Sequence, residues 1–212
     1  MSKPKVLVLI SGNGSNLQAL IDNQNNESCP YEINHVISSS SKAYGLQRAS
    51  NHNIPTTIHE LKTYYKGIPK ENVQERQKAR LQFNLNLIEI ILDLKPNLIV
   101  CAGWMLILSS DFLKPLNDVK IPIINLHPAL PGQFEGTCAI ERSYEAGQKG
   151  LINEGGVMVH YVIEQVDLGE PLVISKINVI EGESLQDWEL RIHNLEHDAI
   201  VKGTLIVLKK II

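Results

Sequence analysis

Hydrophobic and polar positions alternate in blocks along the first part of the chain, and the blocks predict strands and helices in turn. Val6–Ile10 is an uninterrupted aliphatic run, typical of a strand that is buried on both faces of a parallel sheet. After a glycine-rich turn, apolar residues recur at helical spacing, namely Leu17, Leu20 and Ile21. Residues 31–39 predict a second strand, 42–53 a second helix, and 56–60 a short third strand.

The middle of the chain continues this alternation. Residues 60–69 predict a surface loop, and 70–94 a long helix that ends before Pro96. The apolar stripe of this helix is predicted to contain Leu81, Leu85, Ile88, Ile91 and Leu92. Two further buried strands are expected within the segments 97–103 and 121–128, with a helix between them.

The pattern changes after Gly150. The segments 155–163 and 171–180 predict two strands joined by a short polar segment, and hence an antiparallel hairpin. A last helix is expected from about 184 to 208, and the run "SLQD" is typical of a capped helix start. We expect Trp188 to pack this helix.

Together these elements predict an α/β fold. Strands that alternate with helices form βαβ units with right-handed crossovers. We therefore expect a doubly wound, mostly parallel Rossmann-like sheet with helices on both faces, followed by a C-terminal antiparallel hairpin and helix. No internal repeat or linker divides the chain, which predicts one domain over residues 1–212. Leu190, like Trp188, is expected to pack the last helix. Three histidines are not part of a recognisable group of candidate catalytic residues and are predicted to be surface or loop residues: His35, His52 and His59.

Composition narrows the set of partners. The 212 residues carry a formal net charge of −3, which gives no basic field for a nucleic-acid polyanion. Cys29, Cys101 and Cys138 have no spacing typical of a disulfide framework or a zinc site, which fits a reducing cytosol. No apolar run approaches the ~20 residues needed to span a bilayer, and no signal peptide is evident. We expect a cytoplasmic protein without a membrane partner.

The turn "SGNGSN", residues 11–16, is a candidate anion site. Its glycines allow a tight turn that leaves amide groups at the N-terminus of the next helix, where the helix dipole favours an anion. Ser15 and Asn16 add side-chain donors. Leu17 replaces the third glycine of a dinucleotide-binding fingerprint, and the lysine of a phosphate-binding NTPase loop is absent. A single phosphate monoester is the predicted ligand, and a tight turn with no ligand is the alternative.

Polar residues follow directly on the buried strand 121–124. Period-2 alternation places Asn125 and His127 on the same side of the chain, with Leu126 turned toward the core. At the carboxyl end of such a strand, an amide and an imidazole can polarise a carbonyl and stabilise an oxyanion. Asp167 is the candidate third member, because a carboxylate raises the basicity of an imidazole and fixes its orientation. The alternative is a histidine that only caps a loop carbonyl.

Five segments occur in the order found in one enzyme family. They are "LISGNGSNLQALID", "CAGWMLILS", "INLHPALPG", "GGVMVHYVIEQVDLGEPL" and "LEHDAI". Over nearly its whole length the chain resembles the phosphoribosylglycinamide formyltransferases, which are folate-dependent enzymes of purine synthesis. The resemblance implies direct transfer of a formyl group from 10-formyltetrahydrofolate to the amine of glycinamide ribonucleotide.

The resemblance also implies roles for individual residues. The 5′-phosphate would be held by Gly14, Ser15 and Asn16. The catalytic trio would be Asn125, His127 and Asp167. The glycinamide end and the ribose hydroxyls would lie beside Gly103 and Glu196, respectively. The folate pocket would be lined by Trp104, Met105, Leu106, Ile107, Leu108 and Val166. Residues 1–102 would then be the ribonucleotide-binding half, and 103–212 the folate-binding and catalytic half.

Three departures from the family pattern concern the surroundings of the site. Leu106 replaces an arginine near the folate, and the segment "HPALP" is one residue shorter than its family counterpart. Val157 and Met158 replace hydroxyl side chains, whereas His160 is retained. These changes affect folate contacts and neighbouring hydrogen bonds, and they leave the trio intact.

The implied partners are two small molecules, glycinamide ribonucleotide and a reduced folate, without a metal. The chain is expected to act as a monomer or a weak homodimer. Two alternatives remain open from the sequence. One is a formyltetrahydrofolate hydrolase, in which water replaces the amine, although such enzymes usually carry an extra regulatory domain. The other is a non-catalytic nucleotide-binding sensor domain, which would bind ligands without formyl transfer.

Overall fold

The computed structural model describes residues 2–211, in which strands and helices alternate. The strands are β1 (Lys5–Ile10), β2 (Glu32–Ser38), β3 (Thr56–Ile58), β4 (Leu98–Cys101), β5 (Ile123–His127), β6 (Glu154–Tyr161) and β7 (Pro171–Asn178). The helices are α1 (Ser15–Gln24), α2 (Gly45–Asn51), α3 (Leu61–Tyr64), α4 (Val73–Leu94), α5 (Ser110–Asp118), α6 (Ala139–Gln148) and α7 (Leu185–Ile211). The strands form one sheet in the order β3-β2-β1-β4-β5-β6-β7. This arrangement confirms the predicted mostly parallel α/β sheet with a C-terminal antiparallel pair.

The chain divides into two compact units, Met1–Pro122 and Ile123–Ile212. In the first unit, β1 pairs in parallel with β2 on one side and with β4 on the other, and β3 pairs in parallel with β2. The aliphatic run Val6–Ile10 is fully buried, as expected of a central parallel strand. Three residues of α1 are also fully buried at the predicted helical spacing: Leu17, Leu20 and Ile21.

The long helix α4 is buried along a different stripe from the one that the sequence predicts. Leu81 and Leu85 are 42% and 41% exposed, so the prediction was wrong for these two leucines. The buried residues are Phe83, Asn84, Leu87, Ile88 and Ile91. The buried face includes the polar amide of Asn84, whose Nδ2 donates a hydrogen bond to Ser109 Oγ at 2.9 Å. A search for apolar positions alone does not detect such a face.

The segment 60–69 is not wholly a surface loop, because Leu61–Tyr64 forms the short helix α3. The Tyr64 ring packs against His59 and Phe83, with ring centroids 5.5 Å apart in each case. His59 is buried, which corrects its prediction as a surface or loop residue. Its Nε2–H donates to the carbonyl of Phe83 at 2.9 Å, and burial lowers the pKa of its imidazole despite this bond.

In the second unit, β6 lies between β5 and β7 and pairs antiparallel with both. Helix α7 packs against this sheet and begins after Ser184, whose Oγ accepts the N–H of Asp187 at 3.1 Å, as the capping-type run predicts. Trp188 is buried as predicted, and its Nε1–H donates to Ser143 Oγ at 3.1 Å. Leu190 is 60% exposed, so its predicted packing role was wrong.

Residues 2–211 contain no group of three or more histidine, cysteine, aspartate or glutamate side chains that could hold a metal ion. Within the same range, none of the helices combines the length and the apolar character of a membrane span. Cys101 is buried as the sequence predicts, and burial raises the pKa of its thiol to about 12. It therefore behaves as a small hydrophobic side chain in β4.

Candidate active site

The glycine-rich turn leads from the carboxyl end of β1 into α1. Gly14 has a φ of 77°, in the left-handed region that a side chain disfavours. The first intrahelical bond of α1 runs from the N–H of Gln18 to the carbonyl of Gly14 at 2.9 Å. The N–H groups of the first turn therefore have no acceptor within the helix, and the helix dipole adds partial positive charge there. This geometry fits an anion such as phosphate.

The same end of the sheet is a topological switch point. β2 and β4 flank β1 on opposite sides, and ligands of open α/β sheets bind where the strand order reverses in this way. The loop after β4 contains Gly103, which has a φ of 82°. This loop is tied to the end of β1, because the N–H of Met105 donates to Ser11 Oγ at 2.9 Å. The hydroxyl of Ser39 also donates to Ser11 Oγ, at 2.6 Å. Gly103 therefore lies in a loop anchored beside the start of the glycine turn.

The segment Trp104–Leu108, predicted to line a folate pocket, is buried at both ends and half-buried at Leu106. Met105 and Ile107 are 76% and 65% exposed. Arg80 of α4 donates from Nη2 to the carbonyl of Ile107, which places a guanidinium against the loop that contains Leu106. Sequence reasoning missed Arg80, because one cation in a long polar helix gives no signal by itself.

The sequence predicts that Asn125 and His127 follow a strand that ends at residue 124, and this boundary was wrong. Both residues lie within β5, which ends at His127. The strand continues through them because its antiparallel pairing with β6 continues, with Asn125 opposite His160 and His127 opposite Met158. His127 and Leu126 are buried, and Asn125 is half-buried. The polar side chains are therefore carried by a hydrogen-bonded strand, which positions them more rigidly than a loop does.

Asp167 contacts both of these side chains within the second unit. Its Oδ2 lies 3.4 Å from Nδ1 of His127 and accepts the N–H of Gly136 at 2.9 Å. Its Oδ1 accepts a hydrogen bond from Nδ2 of Asn125 at 3.4 Å. Asp167 is buried and has a φ of 58°, an uncommon conformation for a residue with a side chain. The structure thus brings the three predicted residues together.

His160 is a fourth polar side chain of this cluster, and sequence reasoning did not place it there. Its Nδ1–H donates to the carbonyl of Tyr161 at 2.9 Å. Nε2 accepts a hydrogen bond from Nδ2 of Asn125 at 3.3 Å and lies 3.6 Å from Oδ1 of Asp167. His160 therefore orients the asparagine amide toward the carboxylate.

The pKa of Asp167 lies below its ordinary value. Burial acts in the opposite direction and raises it, but three effects together outweigh burial: the contact with His160, the N–H of Gly136 and the charge that His127 carries when protonated. The carboxylate is therefore ionised at neutral pH, and every oxygen of the buried group has a polar neighbour.

The pKa of His127 is also lowered, and here burial is the main cause. The charge of Asp167 and the carbonyls of Gln133 and Phe134 raise it, as the sequence predicts for the carboxylate, but they do not compensate for burial. The resting imidazole is therefore neutral, with Nδ1–H directed at Asp167. Its Nε2 is buried and has no hydrogen-bond partner among residues 2–211. That atom carries the lone pair and can accept a proton.

The remaining predicted site residues are divided between the two units. Ser15 and Asn16 occupy the first turn of α1 in the first unit, where Asn16 is buried. In the second unit, Glu196 of α7 is buried, which is uncommon for a carboxylate. Val166 is 43% exposed and directly precedes Asp167 in the loop between β6 and β7.

Comparison with known proteins supports the same enzyme class over both units. Residues 4–204 match the family model described as Formyl transferase. The chain is 52% identical over 212 residues to the phosphoribosylglycinamide formyltransferase of Saccharomyces cerevisiae, with 98% of each chain covered. It is 41% identical over 208 residues to that of Dictyostelium discoideum, covering 97% of this chain and 98% of that one. The crystal structure of phosphoribosylglycinamide formyltransferase from Campylobacter jejuni superposes with a TM-score of 0.81 at 32% identity, covering 96% of this chain and 97% of that one.

Proposed function

This chain belongs to the phosphoribosylglycinamide formyltransferase family, and we propose that its formyl donor is 10-formyltetrahydrofolate. The chain is a formyl group transferase of purine biosynthesis that uses a folate-type donor. The acceptor is the primary amine of 5′-phosphoribosylglycinamide, and the products are formylglycinamide ribonucleotide and tetrahydrofolate. The observation that supports the proposal most directly is the cluster of Asn125, His127 and Asp167, in which the buried Nε2 of a neutral imidazole has no hydrogen-bond partner in the part of the chain that the structure describes.

The glycine turn is the proposed phosphate site. The N–H groups of Gly14, Ser15 and Asn16 lie at the N-terminus of α1, where the helix dipole and the first-turn amide groups favour an anion. The substrate needs to present only one phosphate monoester there, which agrees with the missing dinucleotide and NTPase motifs. Gly103 is assigned to the glycinamide end and Glu196 to the ribose hydroxyls, with which a carboxylate forms strong hydrogen bonds.

The folate is assigned to the segment after β4 and to the loop before Asp167. The proposed contacts are Trp104, Met105, Leu106, Ile107, Leu108 and Val166. Three of these side chains, Met105, Ile107 and Val166, are apolar and exposed, which suits the aromatic rings of a folate. The guanidinium of Arg80 holds the segment after β4 by donating a hydrogen bond to the carbonyl of Ile107.

The first step of the proposed reaction is attack of the substrate amine on the formyl carbon. The new C–N bond forms as the carbonyl π electrons move onto oxygen, which becomes an oxyanion. Asn125 donates to this oxygen from Nδ2, whose present contacts at 3.3 and 3.4 Å are long and easily exchanged. Nε2 of His127 accepts the proton that the amine loses, and the imidazolium so formed is stabilised by Asp167.

In the second step the tetrahedral intermediate collapses. The oxyanion re-forms the carbonyl, the bond between the formyl carbon and N10 of the folate breaks, and N10 receives the proton from His127. The imidazole returns to its neutral form, so the protein ends as it began. Holding the two reactants in contact contributes up to ~7–11 kcal/mol to lowering the barrier, and one oxyanion donor contributes ~3–4 kcal/mol.

We further propose that residues 1–212 act as a single cytoplasmic formyltransferase domain, as a monomer or a weak homodimer. The family match over residues 4–204 and the similarity that covers 98% of the Saccharomyces cerevisiae relative support the single domain. Its partners are the two small-molecule substrates.

A coupled assay tests the proposal. Purified protein is supplied with 10-formyltetrahydrofolate, with and without glycinamide ribonucleotide, and deformylated folate and formylated ribonucleotide are measured in the same samples. Turnover that requires the ribonucleotide, with one product formed for each folate consumed, is the expected result. Folate deformylation without the ribonucleotide would instead identify a hydrolase, and ligand binding without any turnover would identify a sensor domain.

A further inference from the structure

The glycine turn is held from one side by helix α2, through contacts that the proposed reaction does not use. The N–H of Gly45 donates to the carbonyl of Gly12 at 3.1 Å. Arg48 donates from Nε to the carbonyl of Asn13 and from Nη2 to Oδ1 of the same residue, at 3.0 Å in each case. Its Nη1 donates to Oε1 of Gln18 in α1 at 3.3 Å. One guanidinium thus bonds to both the turn and the helix that follows it.

Two glycines allow α2 to approach the turn this closely. A Cβ atom on Gly14 would lie 2.7 Å from the Cα of Gly45, and a Cβ atom on Gly45 would lie 2.5 Å from Cδ1 of Ile10. The guanidinium carbon of Arg48 also lies 5.0 Å from the centroid of the Tyr44 ring, which restricts its side chain further. The fork is therefore fixed in one orientation against the turn.

These contacts determine where the amide hydrogens of the turn point. In a trans peptide the carbonyl of one residue and the N–H of the next point in opposite directions, and the described residues contain no cis peptide. The carbonyl of Gly12 points at α2, so the N–H of Asn13 points away from it. The carbonyl of Asn13 points at Arg48, so the N–H of Gly14 also points away from α2.

We propose that Arg48 is a positioning residue for the phosphate of the ribonucleotide, an inference that rests on the proposed function. By bonding to the Asn13 carbonyl, Arg48 aims the Gly14 N–H at the bound anion before the substrate arrives. Arginine suits this role because its planar fork reaches the carbonyl and the side chain of Asn13 together, which a lysine ammonium does not. Preorganised donors strengthen substrate binding and leave the chemical step unchanged.

Steady-state kinetics of matched variants tests this role. Arg48→Met removes the fork and keeps most of the apolar stem, whereas Arg48→Lys keeps the charge without the fork. Gln47→Met is the control, because Gln47 lies on the same helix and its side chain donates to Oδ1 of Asn51, at 2.7 Å, on that helix. We expect Arg48→Met to raise the KM for glycinamide ribonucleotide by about tenfold, as loss of charge-assisted bonds implies. The folate KM and kcat should stay within about twofold.

Arg48→Lys is expected to raise the ribonucleotide KM by severalfold, and Gln47→Met to leave all constants unchanged. A merely structural role of Arg48 would lower the active fraction, and hence the maximal rate, without changing either KM. That result, or an unchanged ribonucleotide KM in Arg48→Met, would overturn the proposal.

Ser15→Asp tests the phosphate site separately, since a carboxylate in the turn repels the phosphate. If this variant raises the ribonucleotide KM and Arg48→Met does not, the Arg48 role is wrong and the site assignment stands. If Ser15→Asp changes nothing in an enzyme that transfers formyl groups, the site assignment is wrong and the Arg48 role fails with it. Failure of the proposed function itself would appear earlier, as missing transfer by the wild-type protein.

Discussion

Nδ1 of His127 faces Oδ2 of Asp167 across 3.4 Å, and both side chains are buried. The two groups are held in their resting charge states by different causes. Polar contacts keep the carboxylate ionised against its burial, and burial keeps the imidazole neutral against the carboxylate. A neutral imidazole with a carboxylate at one nitrogen is ready to take a proton at the other. The pair is therefore arranged for proton transfer.

The pH dependence of kcat/KM should show an acid limb below about 6.5, the ordinary pKa of histidine. Because burial lowers the pKa of His127, the neutral base persists below that pH, and activity is lost only as the pH falls through the lowered value. In Asp167→Asn the charge that raises this pKa is absent, so the limb should move to still lower pH, while turnover falls about 10²–10⁴-fold. Both enzymes are measured with the same substrates, so titration of the substrate amine is common to them. A limb that stays in place or moves upward contradicts the assignment to His127.

Truncation of the oxyanion donor or of the base should lower turnover in a folded protein. We expect Asn125→Ala and His127→Ala each to reduce kcat by about a hundredfold or more, since one oxyanion donor is worth ~3–4 kcal/mol and a positioned base contributes about 10²–10⁴-fold. Both KM values should change less, because these groups act mainly in the transition state. His52→Ala, at an exposed histidine, is the matched control and should keep wild-type constants. Near-normal kcat in both folded variants would contradict the catalytic roles of Asn125 and His127.

The parts of the site that depend on neighbours along the chain could be predicted from the sequence. The aliphatic run of β1 and the glycines after it specify a tight turn into a helix, whatever the rest of the fold does. The alternation of Asn125 and His127 likewise places two polar side chains on one side of β5. Asp167 is 40 residues further along, and a polar loop within a hairpin pattern was enough to nominate it but not to show its contacts.

The parts that depend on register or tertiary packing could not be predicted in this way. His160 lies opposite Asn125 because β5 and β6 pair in one particular register, and a shift of one residue would turn it to the other face. Leu81 and Leu85 are exposed because α4 buries Asn84 instead, with a hydrogen bond that apolar periodicity does not reveal. A single sequence does not show in which register β5 and β6 pair, or which face of α4 is buried.

His160 should affect turnover through Asn125 and not by itself. His160→Leu removes the acceptor for Asn125 Nδ2 and should lower kcat by about tenfold, since a buried polar group without its partner costs ~1–3 kcal/mol. His160→Gln offers an amide oxygen near the position of Nε2 and should recover most of the loss. Combining His160→Leu with Asn125→Ala should cost little more than Asn125→Ala alone, because contacting residues are not additive. Full additivity in this double-mutant cycle would show that His160 acts independently of the asparagine.

Two glycines of the turn should respond very differently to the same added methyl group. Gly14 has a φ of 77°, and its Cβ would lie 2.7 Å from the backbone of Gly45, whereas a Cβ on Gly12 meets nothing within 4 Å. Left-handed strain alone costs ~1–2 kcal/mol, and the contact with Gly45 adds to it. For a protein of this length, Gly14→Ala should therefore lower the melting temperature by at least about 4 °C.

Gly12→Ala is the matched control, and its melting temperature should stay close to that of the wild type. The two variants differ by two positions in one turn, so composition and helix propensity outside the turn are the same. The comparison measures the close packing of α2 on the turn and needs no substrate. Equal melting temperatures for Gly14→Ala and Gly12→Ala would mean that this packing is absent in solution, and the alignment of the Gly14 N–H would then have to come from the bound phosphate.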